Sequence, residues 1–301
     1  MISAASSTDA HRASALLQAT FEDGLNTAAG VRYRMRSALP TDRMGYWKAE
    51  RDGELIGWAY AGLNTFAPTD TAGFAGIVVA SGARRGGVGA ALWESVSAHI
   101  DAIGVRRLVA HSEADDDSMR FPRTRGFALT ATQTSLAVDP RTIARPTSLP
   151  PGVELRPFRS FVDDPEPVYN ADRESILDEP GAEDFSGVTF ETWLRHHWEH
   201  PDSDRDLGLV VLVDGEIAGM TFLMTDRERG RALNGGTGVR RAYRGRGLGL
   251  LMKQSSLAAA AEVGIVRVVT QNDETNAPMI AINERLGYKP ISSGHSWVLE
   301  R

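Results

Sequence analysis

Arg244-Gly245-Arg246-Gly247-Leu248-Gly249 decides the fold class of this chain, because it follows an apolar strand-like run and precedes a helical pattern. Arg84-Arg85-Gly86-Gly87-Val88-Gly89 repeats the same Arg-x-x-Gly-x-Gly pattern 160 residues earlier, again between a strand-like run and a helical one. Glycines let backbone N–H groups approach a ligand closely, and the start of a helix adds unpaired donors and a positive dipole end. Each stretch therefore predicts a loop suited to bind a pyrophosphate group.

A longer internal repeat surrounds the two loops. Asp52-Gly-Glu-Leu-Ile-Gly57 recurs as Asp214-Gly-Glu-Ile-Ala-Gly219, and Gly104 corresponds to Gly264 at the same offset as the loops. Near-constant offsets over this length indicate a duplicated domain. A proline-rich stretch separates the copies, and proline is disfavoured in helix interiors and central strands. We therefore expect an N-terminal domain at residues 1–138, a linker at 139–151 and a C-terminal domain at 152–301.

The second copy resembles the GNAT superfamily of acetyl-CoA-dependent N-acetyltransferases. The resemblance is carried by the loop itself, by Thr237-Gly-Val239 before it, and by Asn272, Asn276 and Asn283-Glu-Arg-Leu-Gly-Tyr288 after it. It implies that both halves are α/β (α+β) domains with a mixed sheet, so that the chain has two tandem GNAT folds. It also implies that the loop grips the pyrophosphate of coenzyme A.

The resemblance assigns cofactor-binding roles to residues of the C-terminal half. The main chain of Val239 pairs with the pantetheine arm and its N–H faces the thioester carbonyl, which makes Val239 a candidate catalytic group as well. Asn276 either contacts the cofactor through its amide or caps the following helix. The candidate acetyl-CoA-binding residues of this half are Val239, Arg244, Gly245, Arg246, Gly247, Leu248, Gly249, Asn276 and Asn283.

Asn283 stands where this chain departs from the common pattern. Many members of the superfamily have a tyrosine there, proposed to protonate the leaving thiolate, whereas asparagine donates a hydrogen bond but no proton. A thiol pKa of roughly 8.5 makes the thiolate a tolerable leaving group, so a hydrogen bond can suffice. We therefore expect Asn283 to be catalytic through hydrogen bonding.

The N-terminal copy keeps the Arg-x-x-Gly-x-Gly loop but lacks the two asparagines that follow it in the C-terminal copy. Arg84, Gly87 and Gly89 are its candidate cofactor-binding residues. Asp116 and Pro122 stand at the positions of Asn276 and Asn283, and proline should also break the helix that contains it. We expect a degenerate domain that binds cofactor or only supports its partner, and we expect catalysis in the C-terminal half.

An acidic cluster lies between the first strand of the C-terminal half and its hairpin. In the superfamily this region forms the acceptor side of the site, where carboxylates would attract a cationic amine and include its base. The alternative is a solvated loop. The members are Asp172, Glu174, Asp178, Glu179, Glu183 and Asp184.

Composition excludes several function classes. The 301 residues contain no cysteine, which rules out disulfides, thiolate metal sites and a cysteinyl intermediate. The net charge is −6, without a dense basic stripe or a bilayer-length apolar run, so we expect a cytoplasmic protein without nucleic-acid or membrane partners.

The stretch His196-His-Trp-Glu199-His200 fits a zinc-binding pattern, but Pro201 follows it directly. We favour the alternative that it belongs to an amphipathic helix with Trp193 and Trp198 partly buried. No metal is expected, and the oligomeric state is open.

Together these features predict an N-acetyltransferase that moves an acetyl group from acetyl-CoA directly to a primary amine of a small molecule or peptide. Two alternatives remain. The architecture and length are also similar to enzymes of the mycothiol synthase type, which acetylate a cysteinyl sugar. The other alternative is a regulatory or scaffold protein that binds CoA but does not catalyse a reaction.

Overall fold

The computed structural model describes residues 1–178 and 186–301, which form two compact units. The first unit contains Met1–Thr132 and Gly294–Arg301, and the second contains Gln133–Ser293. The units therefore differ from the expected domains at their closing strands. Residues 133–138, expected in the N-terminal domain, belong to the second unit, and Gly294–Arg301, expected in the C-terminal domain, belongs to the first.

The first unit is a mixed β-sheet with helices, and its strands and helices follow one another along the chain in the order that the sequence predicts. Its hydrogen-bonded strand order is β1-β2-β3-β4-β5 followed by the end of β12, with β4 and β5 parallel and the other pairs antiparallel. The elements up to the boundary are β1 (Ile2–Ala4), α1 (Ala10–Thr20), α2 (Ala28–Ser37), β2 (Gly45–Arg51), β3 (Glu54–Leu63), β4 (Ala72–Val79), α3 (Val88–Ala102), β5 (Arg107–Glu113), α4 (Asp116–Arg123) and β6 (Ala128–Val138).

The second unit repeats this plan, which confirms the predicted mixed sheet and the duplication. Its strand order is β7-β8-β9-β10-β11 followed by the end of β6, and β10 and β11 are its parallel pair. The elements are β7 (Val153–Pro157), α5 (Glu166–Ile176), α6 (Phe190–Trp193), β8 (Leu209–Val213), β9 (Glu216–Asp226), β10 (Arg231–Val239), α7 (Leu248–Glu262), β11 (Arg267–Asp273), α8 (Ala277–Arg285) and β12 (Lys289–Glu300).

Strand pairing explains where the units divide. Gly294–Glu300 of β12 pairs antiparallel with Arg107–Glu113 of β5, inside the first unit. Residues 133–138 of β6 pair antiparallel with Val268–Asp273 of β11, inside the second unit. Each unit is therefore closed by a strand that the linear order of the sequence assigns to the other half.

Local sequence signals account for the turns and helix ends. Asp52 and Gly53 both have positive φ, as do Asp214 and Gly215, which is the type I′ geometry of a tight hairpin. Gly264, with φ of +86°, follows the end of α7 as the predicted C′ glycine.

Two helices differ from the expectation. Pro122 is the next-to-last residue of α4, so the helix includes the proline and ends one residue after it. The helix predicted around residues 193–200 is a single α-turn, α6, continued by a π-helical turn, Leu194–Trp198. Trp193 and Trp198 are only 2% and 4% exposed, so they are core residues rather than partly buried ones. Among the described residues, no helix is long and apolar enough to span a membrane.

Candidate functional site

A cleft opens in the second unit because its two parallel strands separate. β10 and β11 pair only between Arg231–Leu233 and Arg267–Val269, although they continue to Val239 and Asp273. Beyond Leu233, β10 stays paired with β9 on its other side, with a bulge between Asn234 and Gly236. One edge of β10 is thus left with backbone donors and acceptors that a ligand can use.

A buried polar network fixes this bulge. The Asn234 Nδ2 donates to the Phe222 carbonyl at 3.0 Å and to the Thr221 Oγ1 at 3.1 Å. The Thr270 Oγ1 donates to the Asn234 carbonyl at 3.2 Å, and so joins β11 to β10 where they part. Sequence reasoning missed this network, whose only signal is the pair Gly235-Gly236 inside a strand, typical of a bulge.

The Arg-x-x-Gly-x-Gly loop follows β10 with the geometry of an anion site. Gly245 and Gly247 have φ of +76° and +75°, and a Cβ added to either would meet no atom within 4 Å. Gly247 is the N-cap of α7 and has no side chain to pair with the first N–H groups of that helix. Those donors can therefore serve a bound diphosphate.

The side chains of the loop mainly hold it in place. The Arg244 Nε donates to the Val239 carbonyl at 2.9 Å, which ties the loop to the end of β10. The Arg246 guanidinium lies 5.5 Å from the Tyr243 ring centroid, and the Leu248 side chain is buried. The structure thus brings Val239 and the loop together.

Two described members of the acidic cluster, Glu174 and Asp178, already pair with arginines. Glu174 accepts from the Arg240 Nε at 2.8 Å and from the Arg241 N–H at 3.1 Å. Asp178 pairs with Arg241 at 2.5 Å and with Arg244 at 2.6 Å, and these arginines lower its pKa. The expected carboxylate attraction for a cationic amine is therefore neutralised at Glu174 and Asp178. Glu179, Glu183 and Asp184 lie outside the described residues.

Asp172 differs from its neighbours in the cluster. Its Oδ2 accepts a hydrogen bond from the Trp193 Nε1 at 2.8 Å, and burial raises its pKa to about 6. It lies on α5, whose Ser175 packs so closely on β10 that a Cβ added to Gly238 would be 2.3 Å from the Ser175 Cβ. Asp172 is therefore a carboxylate with a raised pKa on the helix that covers the open strand.

An imidazole lies near the same strand. His197 makes an edge-to-face contact with Phe222 at 5.2 Å, and burial lowers its pKa to about 4. Phe222 in turn packs against Gly235 and Gly236 of the bulge. Within residues 1–178 and 186–301, no cluster of three His, Asp or Glu side chains is arranged to hold a metal.

The two asparagines predicted to serve the cofactor have structural partners. The Asn276 Oδ1 accepts from the Met279 N–H at 3.3 Å, so Asn276 is the N-cap of α8. Asn283 is only 1% exposed, and its Nδ2 donates to the Asn272 Oδ1 at 2.5 Å. The amide of Asn283 is thus buried and paired within the protein, and its role toward the cofactor stays a prediction.

Behind Asn283 lies a residue that sequence reasoning missed. The Lys253 Nζ donates to the Asn283 Oδ1 at 2.5 Å, and Lys253 itself is 1% exposed. Its signal in the sequence is its isolation, since it is one of three lysines in the chain and stands in an otherwise uncharged stretch of α7.

The first unit contains a related cleft. β4 and β5 pair only between Ala72–Phe74 and Arg107–Val109. The Arg84 Nε donates to the Val79 carbonyl at 3.2 Å, and Gly87, with φ of +82°, is the N-cap of α3. A Cβ added to Gly89 would be 3.2 Å from the Phe121 ring.

A splayed parallel pair followed by an Arg-x-x-Gly-x-Gly loop at a helix start defines an acyltransferase fold of the GNAT class. The model of the "Acetyltransferase (GNAT) family" matches residues 11–127, and that of the "Acetyltransferase (GNAT) domain" matches residues 153–289. The chain belongs to the GNAT family and is a tandem GNAT N-acetyltransferase.

Individual relatives agree with this assignment. A mycothiol acetyltransferase from Acidothermus cellulolyticus is 26% identical over 257 residues, which cover 81% of this chain and 75% of that protein. The structure of a tandem GNAT protein from the clavulanic acid biosynthesis pathway superposes with a TM-score of 0.77 at 22% identity, covering 100% and 98% of the two chains. A GCN5-related N-acetyltransferase from Sphaerobacter thermophilus gives a TM-score of 0.73 at 21% identity, covering 100% and 95%. The structural likenesses show the fold.

Proposed function

We propose that the protein transfers the acetyl group of acetyl-CoA directly to a primary amine of a small molecule or peptide, and that the second unit performs the reaction. The observation that carries the proposal is the continuity of two features. The open edge of β10, Gly235–Val239, runs directly into a loop whose Gly245 and Gly247 leave room for a diphosphate. One extended molecule with a diphosphate at one end and a thioester at the other fits this layout.

In this mechanism the helix start and the loop amides hold the diphosphate, and the open edge of β10 pairs with the amide groups of the pantetheine arm. A backbone N–H near Val239 donates to the thioester carbonyl oxygen as it gains negative charge. The amine nitrogen attacks the carbonyl carbon, the C–S bond breaks, and the proton lost by nitrogen ends on sulfur. Direct transfer is supported by the absence of cysteine from the chain.

We assign Asp172 as the base that prepares the amine. A base with a pKa near 6 is ionised at neutral pH and is stronger than an ordinary aspartate, which suits acceptance of a proton directly or through water. Asn272, Asn276 and Asn283 then have supporting roles on the other side of the cleft, and the N-terminal loop of Arg84, Gly87 and Gly89 remains a candidate second site for CoA.

Calorimetry with acetyl-CoA tests this proposal. Gly247→Val places a branched side chain at positive φ where the backbone must approach the diphosphate. Gly264→Val is a matched control, since it also has positive φ and open space but lies at the far end of α7. We expect comparable losses of thermal stability, but loss of acetyl-CoA binding only in Gly247→Val. Equal binding by both variants would contradict the assignment of the loop.

A second candidate substrate class is favoured by one observation, the 26% identity to a mycothiol acetyltransferase. The acceptor would then be the amine of a cysteinyl sugar rather than a simple amine. Thioester consumption with a panel of amines that includes a cysteinyl sugar distinguishes the two candidates. A protein that binds acetyl-CoA but consumes no thioester with any acceptor would instead be the regulatory binder.

A further inference from the structure

A buried ammonium group lies in the second unit outside the residues used above. Lys253 is surrounded by the Asn283 Oδ1 at 2.5 Å, the Met279 Sδ at 4.0 Å and the ring of Tyr288, whose centroid is 4.9 Å from the Nζ. No described carboxylate pairs with it, and burial alone lowers its pKa to about 7. Burying a charge without a charged partner is destabilising, which makes Lys253 a candidate for a role beyond the stability of the fold.

The position of Lys253 places it directly behind the loop. Lys253 lies one helical turn beyond Gly249, and residues four apart share a helix face. A Cβ added to Gly249 would be 3.3 Å from the Ile282 Cδ1 and 3.7 Å from the Val239 Cγ2. The face of α7 that carries Lys253 therefore packs, at Gly249, against the last residue of β10 and against Ile282, the neighbour of its acceptor Asn283.

A chain of hydrogen bonds leads from this ammonium to β11. Lys253 donates to Asn283, and the Asn283 Nδ2 donates to the Asn272 Oδ1 at 2.5 Å. Asn272 lies three residues beyond Val269, the last residue of β11 that pairs with β10. The chain thus ends on Asn272, in the part of β11 that has separated from β10.

The surroundings of Lys253 contain one other titratable group. Tyr288 is 3% exposed, and its hydroxyl has no hydrogen-bond partner among the described residues. The groups of α8 that contact Lys253 through polar atoms are the uncharged Asn283 and Met279, and Asn272 of β11, also uncharged, contacts Asn283. Below its own pKa of about 7, Lys253 therefore carries the only charge in the described cluster. Hydrogen bonds polarised by this charge act in a low-dielectric region.

We propose that Lys253 is a positioning residue for the acetyl transfer, whose ammonium, acting through Asn283 and Asn272, stabilises the negative charge on the sulfur that leaves the thioester. The inference rests on the proposed function. When the amine attacks, the electron pair of the C–S bond moves to sulfur, and the proton from the amine nitrogen later neutralises it to the thiol. The Lys253 chain lowers the energy of the thiolate during this interval.

Binding of coenzyme A and of desulfo-coenzyme A, which lacks only the sulfur, tests the proposal without turnover. We expect the wild-type protein to bind coenzyme A about tenfold more tightly than the desulfo compound, a difference of about 1.4 kcal/mol. Ultraviolet absorption should show bound thiolate at a pH where the free thiol is protonated. Lys253→Met should abolish both the preference and the thiolate signal, whereas Lys253→Arg, which keeps the charge, should retain them.

Asn283→Leu provides a second variant, since it keeps Lys253 but interrupts the chain, and it should behave like Lys253→Met. In both variants kcat should fall while KM for acetyl-CoA changes little. If the folded variants keep the preference for the sulfur compound and the thiolate signal, the proposal for Lys253 is overturned and the proposed function survives. If the wild-type protein binds neither acetyl-CoA nor coenzyme A, the proposed function itself fails and the inference falls with it.

Discussion

The two Arg-x-x-Gly-x-Gly loops share a backbone but differ in what lies around them. In each, the arginine Nε bonds the last carbonyl of the preceding strand and a glycine caps the following helix. The left-handed residue at the second position is Gly245 in one loop and Arg85 in the other, and the Arg85 side chain pairs with Asp117. Duplication has therefore kept the frame of the loop and changed its side chains.

The interiors behind the loops differ more. Trp93 and Phe127 occupy the repeat positions of Lys253 and Tyr288, and they pack edge to face at 5.7 Å. Pro122 stands where the second unit has Asn283. The first unit is thus apolar where the second is polar. An apolar interior stabilises a fold, whereas buried polar groups cost stability and are typical of functional sites.

The largest expected effect comes from matched double variants of the two loops. Arg244→Ala with Gly247→Val should lower turnover by at least ~100-fold, because the diphosphate can no longer hold the thioester in place. Arg84→Ala with Gly87→Val should leave turnover largely intact, even if it removes a second binding event. Steady-state rates and calorimetric stoichiometry measure the two effects. Equal loss of activity in both folded variants would remove the contrast between the units.

The proposed base, Asp172, also lies in the second unit, so testing it sharpens the contrast between the two units. Its pKa of about 6 predicts that kcat/KM falls as the pH drops below 6, where the carboxylate becomes protonated and cannot accept a proton. Asp172→Asn keeps an acceptor for Trp193 and should lower kcat/KM by ~100-fold. The pH profile of the variant should lose its acid limb.

Glu191→Gln is the control for Asp172, since it neutralises an exposed carboxylate on the neighbouring α6. It should leave the rate and the profile unchanged. An Asp172→Asn variant with an intact acid limb would show that another group sets the pH dependence.

The smallest effect concerns the caps of the corresponding helices α8 and α4. Asn276 caps α8 through the Met279 N–H, and Asp115 caps α4 through the N–H groups of Asp117 and Ser118. Replacing either cap by alanine should cost ~1 kcal/mol of unfolding free energy. Chemical denaturation measures this loss. A much weaker affinity of Asn276→Ala for acetyl-CoA would indicate that its amide also contacts the cofactor.

Local patterns were enough to predict the parts of this fold that depend on neighbours in sequence. The glycine loops, the Asp-Gly hairpin turns and the stop at Gly264 each follow from φ requirements that few residues satisfy. The mixed sheet followed from the order of the apolar runs and from the family resemblance.

Tertiary partners decided what the sequence left unpredicted. The sequence left two alternatives for the acidic residues Glu174 and Asp178, a wall that attracts an amine or a solvated loop. Neither included the arginines, distant in sequence, that pair with them. Asn283 was assigned to the cofactor from its place in the family pattern. Its contact with Lys253 joins residues 30 positions apart and could not be predicted from the sequence. The exchange of closing strands carries no local signal, since both strands have similar alternating patterns.

That exchange has a consequence for synthesis of the chain. The first unit contains Gly294–Arg301, so its sheet lacks a strand until the ribosome has passed the whole second unit and added these residues. Contacts between residues so far apart in sequence form slowly, and an unpaired β5 edge is open to wrong partners until then. Of the two units, the one that is synthesised first is therefore completed last, and truncation before residue 294 would damage the first unit rather than the proposed catalytic one.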